Sequence, residues 1–187
     1  MNWVAVVPLK QGASQKSRLS ERLDSAQRAA LTDVLLSRVL NALNHCRAVS
    51  HIILLSPSDP QHPKTEWVRD EGRGLNEELT LLRARFLNSN FLIVHADLPF
   101  LETDEVAALL GAADFAGVAI APDKVGRGTN AVALRKACSI SFNFGVDSFA
   151  KHLAAAPSAK VVRSQGFSHD IDTPDDLSVA LELGLRL

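Results

Sequence analysis

The sequence predicts an α/β fold of three layers, α/β/α, with helices on both faces of a mostly parallel sheet. Two observations carry this. Short apolar blocks at residues 3–7, 51–55, 91–96, 117–121, 131–134 and 160–162 are nearly unbroken rather than alternating, as strands buried on both faces are. Between them lie stretches with the three-and-four spacing of amphipathic helices, so strand and helix alternate for nearly the whole chain.

Each element has a local reason. The first block ends at Pro8, and Leu31, Val34, Leu35, Val39, Ala42, Leu43 and Cys46 then recur on one helical face after a cap at Asp24 or Ser25. With the block at 51–55 this makes a β-α-β unit. Pro57-Ser58-Asp59-Pro60-Gln61-His62-Pro63 reads as a flexible loop, not a domain linker. A second helix runs from Leu75 through Leu79, Leu82 and Phe86 into the block at 91, and a third opens at Thr103 with Asp104 and Glu105 at the positive end of its dipole. The block at 131–134 follows its predecessor with no helix between, which predicts one antiparallel hairpin or edge excursion. Asp147 or Ser148 caps a helix to Ala156. Thr173-Pro174-Asp175-Asp176 is a strong helix start, with Thr as cap, Pro at the first helical position and Asp176 closing a capping box. One domain over 1–187 is expected.

Composition narrows the function. In 187 residues, 20 Lys and Arg against 21 Asp and Glu give a net charge of −1, which argues against a nucleic-acid partner bound through many phosphates and makes any anion site local. Cys46 and Cys138 form no C-x-x-C pair, so neither a zinc site nor a disulfide framework is indicated. No apolar run reaches membrane-spanning length and the N-terminal run lacks a signal pattern, so no membrane association and a cytoplasmic location are expected; oligomeric state stays open, a homo-oligomer included.

Ligands of open α/β sheets bind beyond the carboxyl ends of the strands. There the chain places Pro8, Lys10, Lys16 and Arg18 after the first strand, Asp97-Leu98-Pro99 after the block at 91–96, and Asp170-Ile171-Asp172 after the last. Taken singly, each acid reads as well as a turn or cap residue and each cation as part of a solvated loop. Together they suit a hard divalent cation such as Mg²⁺ on oxygen ligands, with Lys and Arg neutralising phosphates. Asp175 and Asp176 read mainly as caps. G-x-x-x-x-G-K-[ST] is absent. Gly126-Arg127-Gly128-Thr129-Asn130-Ala131 fits G-x-G-x-x-A but precedes a strand, so it is either a turn presenting N–H groups, Arg127 and the Thr129 hydroxyl to an anion, or a plain hairpin turn. Gly72-Arg73-Gly74-Leu75-Asn76 opens a helix and either contacts a nucleotide or simply starts the helix. No H-E-x-x-H or G-x-S-x-G supports a hydrolase, His95 reads as a satisfied core residue, and His169 stays undecided.

Val6-Val7-Pro8-Leu9-Lys10, Lys16-Ser17-Arg18-Leu19, Gly74-Leu75-Asn76, Ala96-Asp97-Leu98-Pro99, Ala121-Pro122-Asp123, Gly128-Thr129-Asn130-Ala131, Phe144-Gly145 with Ser148-Phe149, and Asp170 through Leu177 together resemble the 2-phospho-L-lactate guanylyltransferase family almost end to end. The resemblance implies a nucleotide-diphospho-sugar transferase (Rossmann-like) fold and transfer of GMP from GTP to 2-phospho-L-lactate, phosphoenolpyruvate or 3-phospho-D-glycerate, in making the deazaflavin coenzyme F-420. It implies that Asp97, Asp170 and Asp172 hold Mg²⁺, that Lys10, Lys16 and Arg18 hold the triphosphate beside Pro8, that Gly74 and Asn76 meet base or ribose, and that Thr129, Gly145 and Ser148 hold the phosphorylated acid.

One position departs. The family reads F-G-x-G-S-F where this chain has Phe144-Gly145-Val146-Asp147-Ser148-Phe149. Asp147 then caps the helix, faces away, or accepts a hydrogen bond from a substrate hydroxyl, the last favouring 3-phosphoglycerate. Rival readings are a sugar-phosphate or molybdenum-cofactor nucleotidyltransferase, which usually carries a Gly-rich turn where Pro8-Leu9-Lys10 stands, and an inactive nucleotide-binding module, which would have lost a metal carboxylate.

Overall fold

The computed structural model describes residues 2–10 and 16–186. Seven strands form one sheet: β1 Trp3–Pro8, β2 Val49–Ser56, β3 Glu66–Arg69, β4 Asn90–Val94, β5 Val118–Pro122, β6 Thr129–Leu134 and β7 Lys160–Val161. Their order is β3-β2-β1-β4-β6-β5-β7, and β6 alone runs antiparallel to its neighbours. The predicted hairpin is thus β5–β6, whose second strand inserts between β4 and β5.

Among the described residues six α-helices and a 3-10 turn at Ser17–Leu19 accompany the sheet: α1 Ser25–His45, α2 Leu75–Arg85, α3 Thr103–Ala116, α4 Ser148–Ala155, α5 Gln165–Ser168 and α6 Pro174–Glu182. Alternate residues of the central strands serve opposite faces. Trp3, Ala5, Val7, Leu92 and Val94 pack with Val39 and Leu43 of α1 and Leu109 of α3; Val4, Val6, Phe91 and Ile93 pack with Leu79 and Leu82 of α2 and Phe149 of α4. Burial on both faces is why the blocks read as continuous. A smaller cluster of Leu19, Leu31, Leu35, Ile171, Leu177 and Ala180 fastens α6 to α1.

The caps behave unevenly. Asp24 accepts from the Gln27 N–H in a reciprocal box, and Thr173 and Asp176 form the predicted one. Asp147 stands at the cap position of α4 without capping it: φ is 54° and its carboxylate takes the Arg127 Nε–H at 3.1 Å instead. That left-handed backbone is natural for Gly and tolerated by Asp.

α5 lies against the turn that follows Asp97. Gly166 N–H donates to Glu105 at 2.8 Å, and a Cβ at Gly166 would sit 2.7 Å from Leu101 Cα and Phe100 O. Backbone cannot yield as a side chain does. Gly166→Ala is therefore expected to destabilise the fold by about 1–3 kcal/mol, read as a lower urea midpoint; an unchanged midpoint would show that α5 shifts freely.

Candidate active site

The carboxyl ends of β1 and β4 are neighbours, and the reversed direction of β6 brings its beginning to the same edge, where His95 N–H donates to Asn130 O at 2.9 Å. An antiparallel strand thereby delivers Thr129 and Asn130 to the site from its first residues. The chain after α5 returns to this edge as well, with Ile171 N–H donating to Asp97 O at 3.2 Å.

Lys16 is the hub. Its Nζ donates to Asp97 Oδ2 at 2.6 Å, to Ile171 O at 2.5 Å and to Asp172 Oδ1 at 3.2 Å. The side chains of Lys16 and Asp97 are only 10% and 21% exposed, so this pair sits in a poorly screened setting. Burial disfavours the charge on Lys16, but Asp97 and Asp172 outweigh it and hold the ammonium above its ordinary range. Burial likewise disfavours ionised Asp97, and Lys16 with neighbouring His95 outweighs that and holds the carboxyl below its ordinary range. Lys16 has φ 47° and ψ 39°, a left-handed conformation costing about 1–2 kcal/mol in a non-glycine residue, held by the contacts of its own ammonium.

The other predicted residues are spread around this hub. Arg18 Nη1 stands 4.0 Å from Asp172 Oδ2 and is mostly exposed, Lys10 is exposed beyond β1, and Pro8 ends that strand half-buried. Asp170 accepts from Asn130 Nδ2 at 3.0 Å, and the same amide donates to Phe167 O at 2.8 Å. Asn130, 3% exposed, thus positions Asp170. Its motif gave no hint of this, because the bond spans forty residues. Burial first, then Asp97 and Asp172, push the Asp170 carboxyl up to about 6.

Two readings of the loops change. The N–H groups of Gly126, Arg127 and Gly128 all donate to the Asp123 carboxylate at 2.6 to 2.9 Å, so this segment is a hairpin turn and not an anion cradle. Asn76 Oδ1 accepts from Phe144 N–H at 2.7 Å and its Nδ2 donates to Phe144 O at 3.1 Å, so its amide clamps the loop before Gly145, which has φ 122°. Gly74, φ 101°, starts α2, where Glu78 already accepts from the N–H groups of Glu71 and Arg73.

Thr129 and Ser148 are 2% exposed, and Thr129 Oγ1 lies 3.0 Å from Nδ1 of His152, a buried residue that the sequence did not single out. His95 is not the satisfied core residue expected: its buried Nε2 has no hydrogen-bond partner and its ring tilts against Phe144 at 5.4 Å. His169 bonds Gln165 O through Nδ1 and meets Phe100 edge-on, a structural role. Clefts of about 520 Å³ beside α1 and about 320 Å³ beside α2 are lined by none of the predicted site residues, which gather on the open sheet edge.

Three aspartates form an all-oxygen donor set that suits a hard cation, and Asp97 Oδ1 is buried with no hydrogen-bond partner. Among the described residues, however, no three carboxylates, histidines or cysteines stand close enough to hold a metal. The Lys16 ammonium joins Asp97 to Asp172 instead.

Two shifts oppose each other in the absence of divalent cation. His152 falls from 6.5 to about 4, chiefly through burial, so the unfolded chain binds more protons between these values and stability drops as pH falls through them. Asp170 rises from 3.8 to about 6, so its cost is present above 6 and is relieved as pH falls towards 4. Asp170→Asn is expected to unmask the His152 slope, making urea stability fall more steeply than in wild type by roughly 1–3 kcal/mol from pH 6 to 4; parallel curves would contradict it.

Residues 3–184 match the family described as guanylyl transferase CofC like. A phosphoenolpyruvate guanylyltransferase of Sphaerobacter thermophilus is 43% identical over 95% of this chain and 91% of its own, and one of Rubrobacter xylanophilus 37% identical over 95% and 93%. A crystal structure from Desulfovibrio desulfuricans, assigned to the nucleotide-diphospho-sugar transferases, superposes with a TM-score of 0.77 at 19% identity over 95% of this chain and 85% of that one. A 4-diphosphocytidyl-2C-methyl-D-erythritol synthase of Anaerococcus prevotii gives 0.64 at 15% identity over 98% and 96%. The chain therefore shares the fold of these two structures.

Proposed function

Because the chain belongs to the CofC-like guanylyl transferase family, we propose that it transfers GMP from GTP to the phosphate of a small phosphorylated carboxylic acid, phosphoenolpyruvate foremost, and releases pyrophosphate in a step of F-420 synthesis. The observation that carries this is the meeting of Lys16, Asp97 and Asp172 where β1 and β4 end. Phosphoenolpyruvate comes first because the relatives bear that name.

A phosphate oxygen of the acid attacks the α-phosphorus of GTP, the bond from that phosphorus to the bridging oxygen breaks, and pyrophosphate leaves with the electron pair. The attacker is already ionised near neutral pH, so no general base is needed; two anions must instead be neutralised and held in line. Lys16, Lys10 and Arg18 bind the triphosphate, and Thr129, Gly145 and Ser148 bind the acid. With the Lys16 ammonium drawn off Asp97 and Asp172 onto the triphosphate, those carboxylates and Asp170 would hold Mg²⁺, which would supply positive charge to offset the phosphates.

The test is pyrophosphate release with product mass, using Mg²⁺, GTP or ATP, and each of phosphoenolpyruvate, 2-phospho-L-lactate and 3-phospho-D-glycerate. A guanylylated phosphoenolpyruvate is expected. Release with a sugar phosphate alone would transfer the assignment to another nucleotidyltransferase class, and GTP binding without turnover would make the chain a binding module.

A further inference from the structure

His152 touches every segment that bears the three acid-subsite residues, and the reaction just proposed gives it no role. It lies on α4 one turn after Ser148. Its ring is fully buried, with Nδ1 3.0 Å from Thr129 Oγ1 and Nε2 accepting the Asn143 N–H at 3.0 Å, two residues before Gly145. Phe144 packs edge-on against it with centroids 4.8 Å apart.

These contacts settle where the imidazole proton sits. A backbone N–H can only donate, so Nε2 must present its lone pair to Asn143, and the neutral ring then carries its proton on Nδ1. Nδ1–H therefore donates to Thr129 Oγ1. With a lone pair so occupied, the Thr129 hydroxyl keeps its own proton for another acceptor, and no other partner of that oxygen is found among the described residues. The opposite tautomer would set two donors face to face at Asn143.

We infer that His152 is a positioning residue for the phosphorylated acid: it turns the Thr129 hydroxyl into a donor aimed at an anion, and it holds residues 143–145 against α4. Asn76 clamps Phe144 from the other side, so successive residues of this loop are each fixed by one side chain. The inference rests on the proposed guanylyl transfer, since it assigns Thr129 to the acid. It adds a residue that binds no substrate itself and sets how tightly the acid is held.

Substitutions separate the two bonds. Gln at 152 keeps an acceptor near Nε2 but has no donor at the position of Nδ1. His152→Gln is expected to raise KM for the acid about tenfold, the worth of one hydrogen bond to a charged ligand, while KM for GTP stays within about twofold. In a Thr129→Val background the same change should add little, because the hydroxyl it orients is gone. His152→Asn, which keeps a donor near Nδ1, should recover part of the acid affinity. Nitrogen-15 NMR of the unaltered protein should show the Nδ1–H tautomer. Equal changes in both KM values, full additivity with Thr129→Val, or the Nε2–H tautomer would each overturn the inference. Wild-type protein that guanylylates none of the three acids would overturn the proposed function itself, and that control tells the two failures apart.

Discussion

Asp97→Asn lowers guanylyl transfer at least about 1000-fold, equivalent to roughly 4 kcal/mol of transition-state stabilisation, while the protein still folds. Asn preserves the shape of the side chain and removes the charge, so what is lost is the anionic oxygen. Lys16 keeps Asp172 and Ile171 O as partners, which limits the stability cost to about 1–2 kcal/mol. Asp172→Asn should match the catalytic loss at a smaller cost to stability, because its carboxylate is half exposed and 3.2 Å from the ammonium. Steady-state rates with thermal unfolding check both. Near-full activity in either variant would remove that residue from the site.

Lys16→Ala acts in two directions. KM for GTP rises about 10- to 100-fold, because a buried ammonium no longer meets the triphosphate. The ligand-free protein also loses stability, by about 1–3 kcal/mol, since Asp97 and Asp172 stay close together without their shared counter-charge. Mg²⁺ added without nucleotide should raise the melting temperature of the variant more than that of wild type, because ammonium and metal seek the same carboxylate oxygens. An unchanged dependence on GTP would leave Lys16 a structural ion-pair residue, and an equal response to Mg²⁺ would separate the metal from these oxygens.

The strands buried on both faces were legible because continuous hydrophobicity is a strong local signal. β3 was not. Its residues Glu66, Trp67, Val68 and Arg69 alternate between half-buried and exposed at the sheet edge, just after the Pro-rich segment, and so form no continuous apolar block. α5, a single turn of Gln165–Ser168, is too short for periodicity to register, although it carries the chain from β7 back towards Asp97. Lys10, Lys16, Arg18 and Asp97 could be named from the ends of β1 and β4, whereas Asp170 and Asp172, read from the sequence as following the last strand, follow α5 instead. What joins these groups could not be named. That Lys16 bridges Asp97 and Asp172, that Asn130 holds Asp170, and that His152 orients Thr129 are contacts between distant segments, invisible to spacing. Asn76 shows the converse: a residue placed on the nucleotide by resemblance has its amide engaged with the Phe144 backbone.

The decisive place is the gap between Asp97 and Asp172 now spanned by the Lys16 ammonium. A crystal structure with Mg²⁺, a GTP analogue resistant to transfer, and phosphoenolpyruvate tests it most directly. The prediction is a metal ion on those carboxylates in place of the ammonium, Lys16 Nζ moved onto an oxygen of the adjoining triphosphate, and the acid phosphate beside Thr129 and Gly145. A triphosphate bound elsewhere, with the Lys16–Asp97 pair intact, would contradict it.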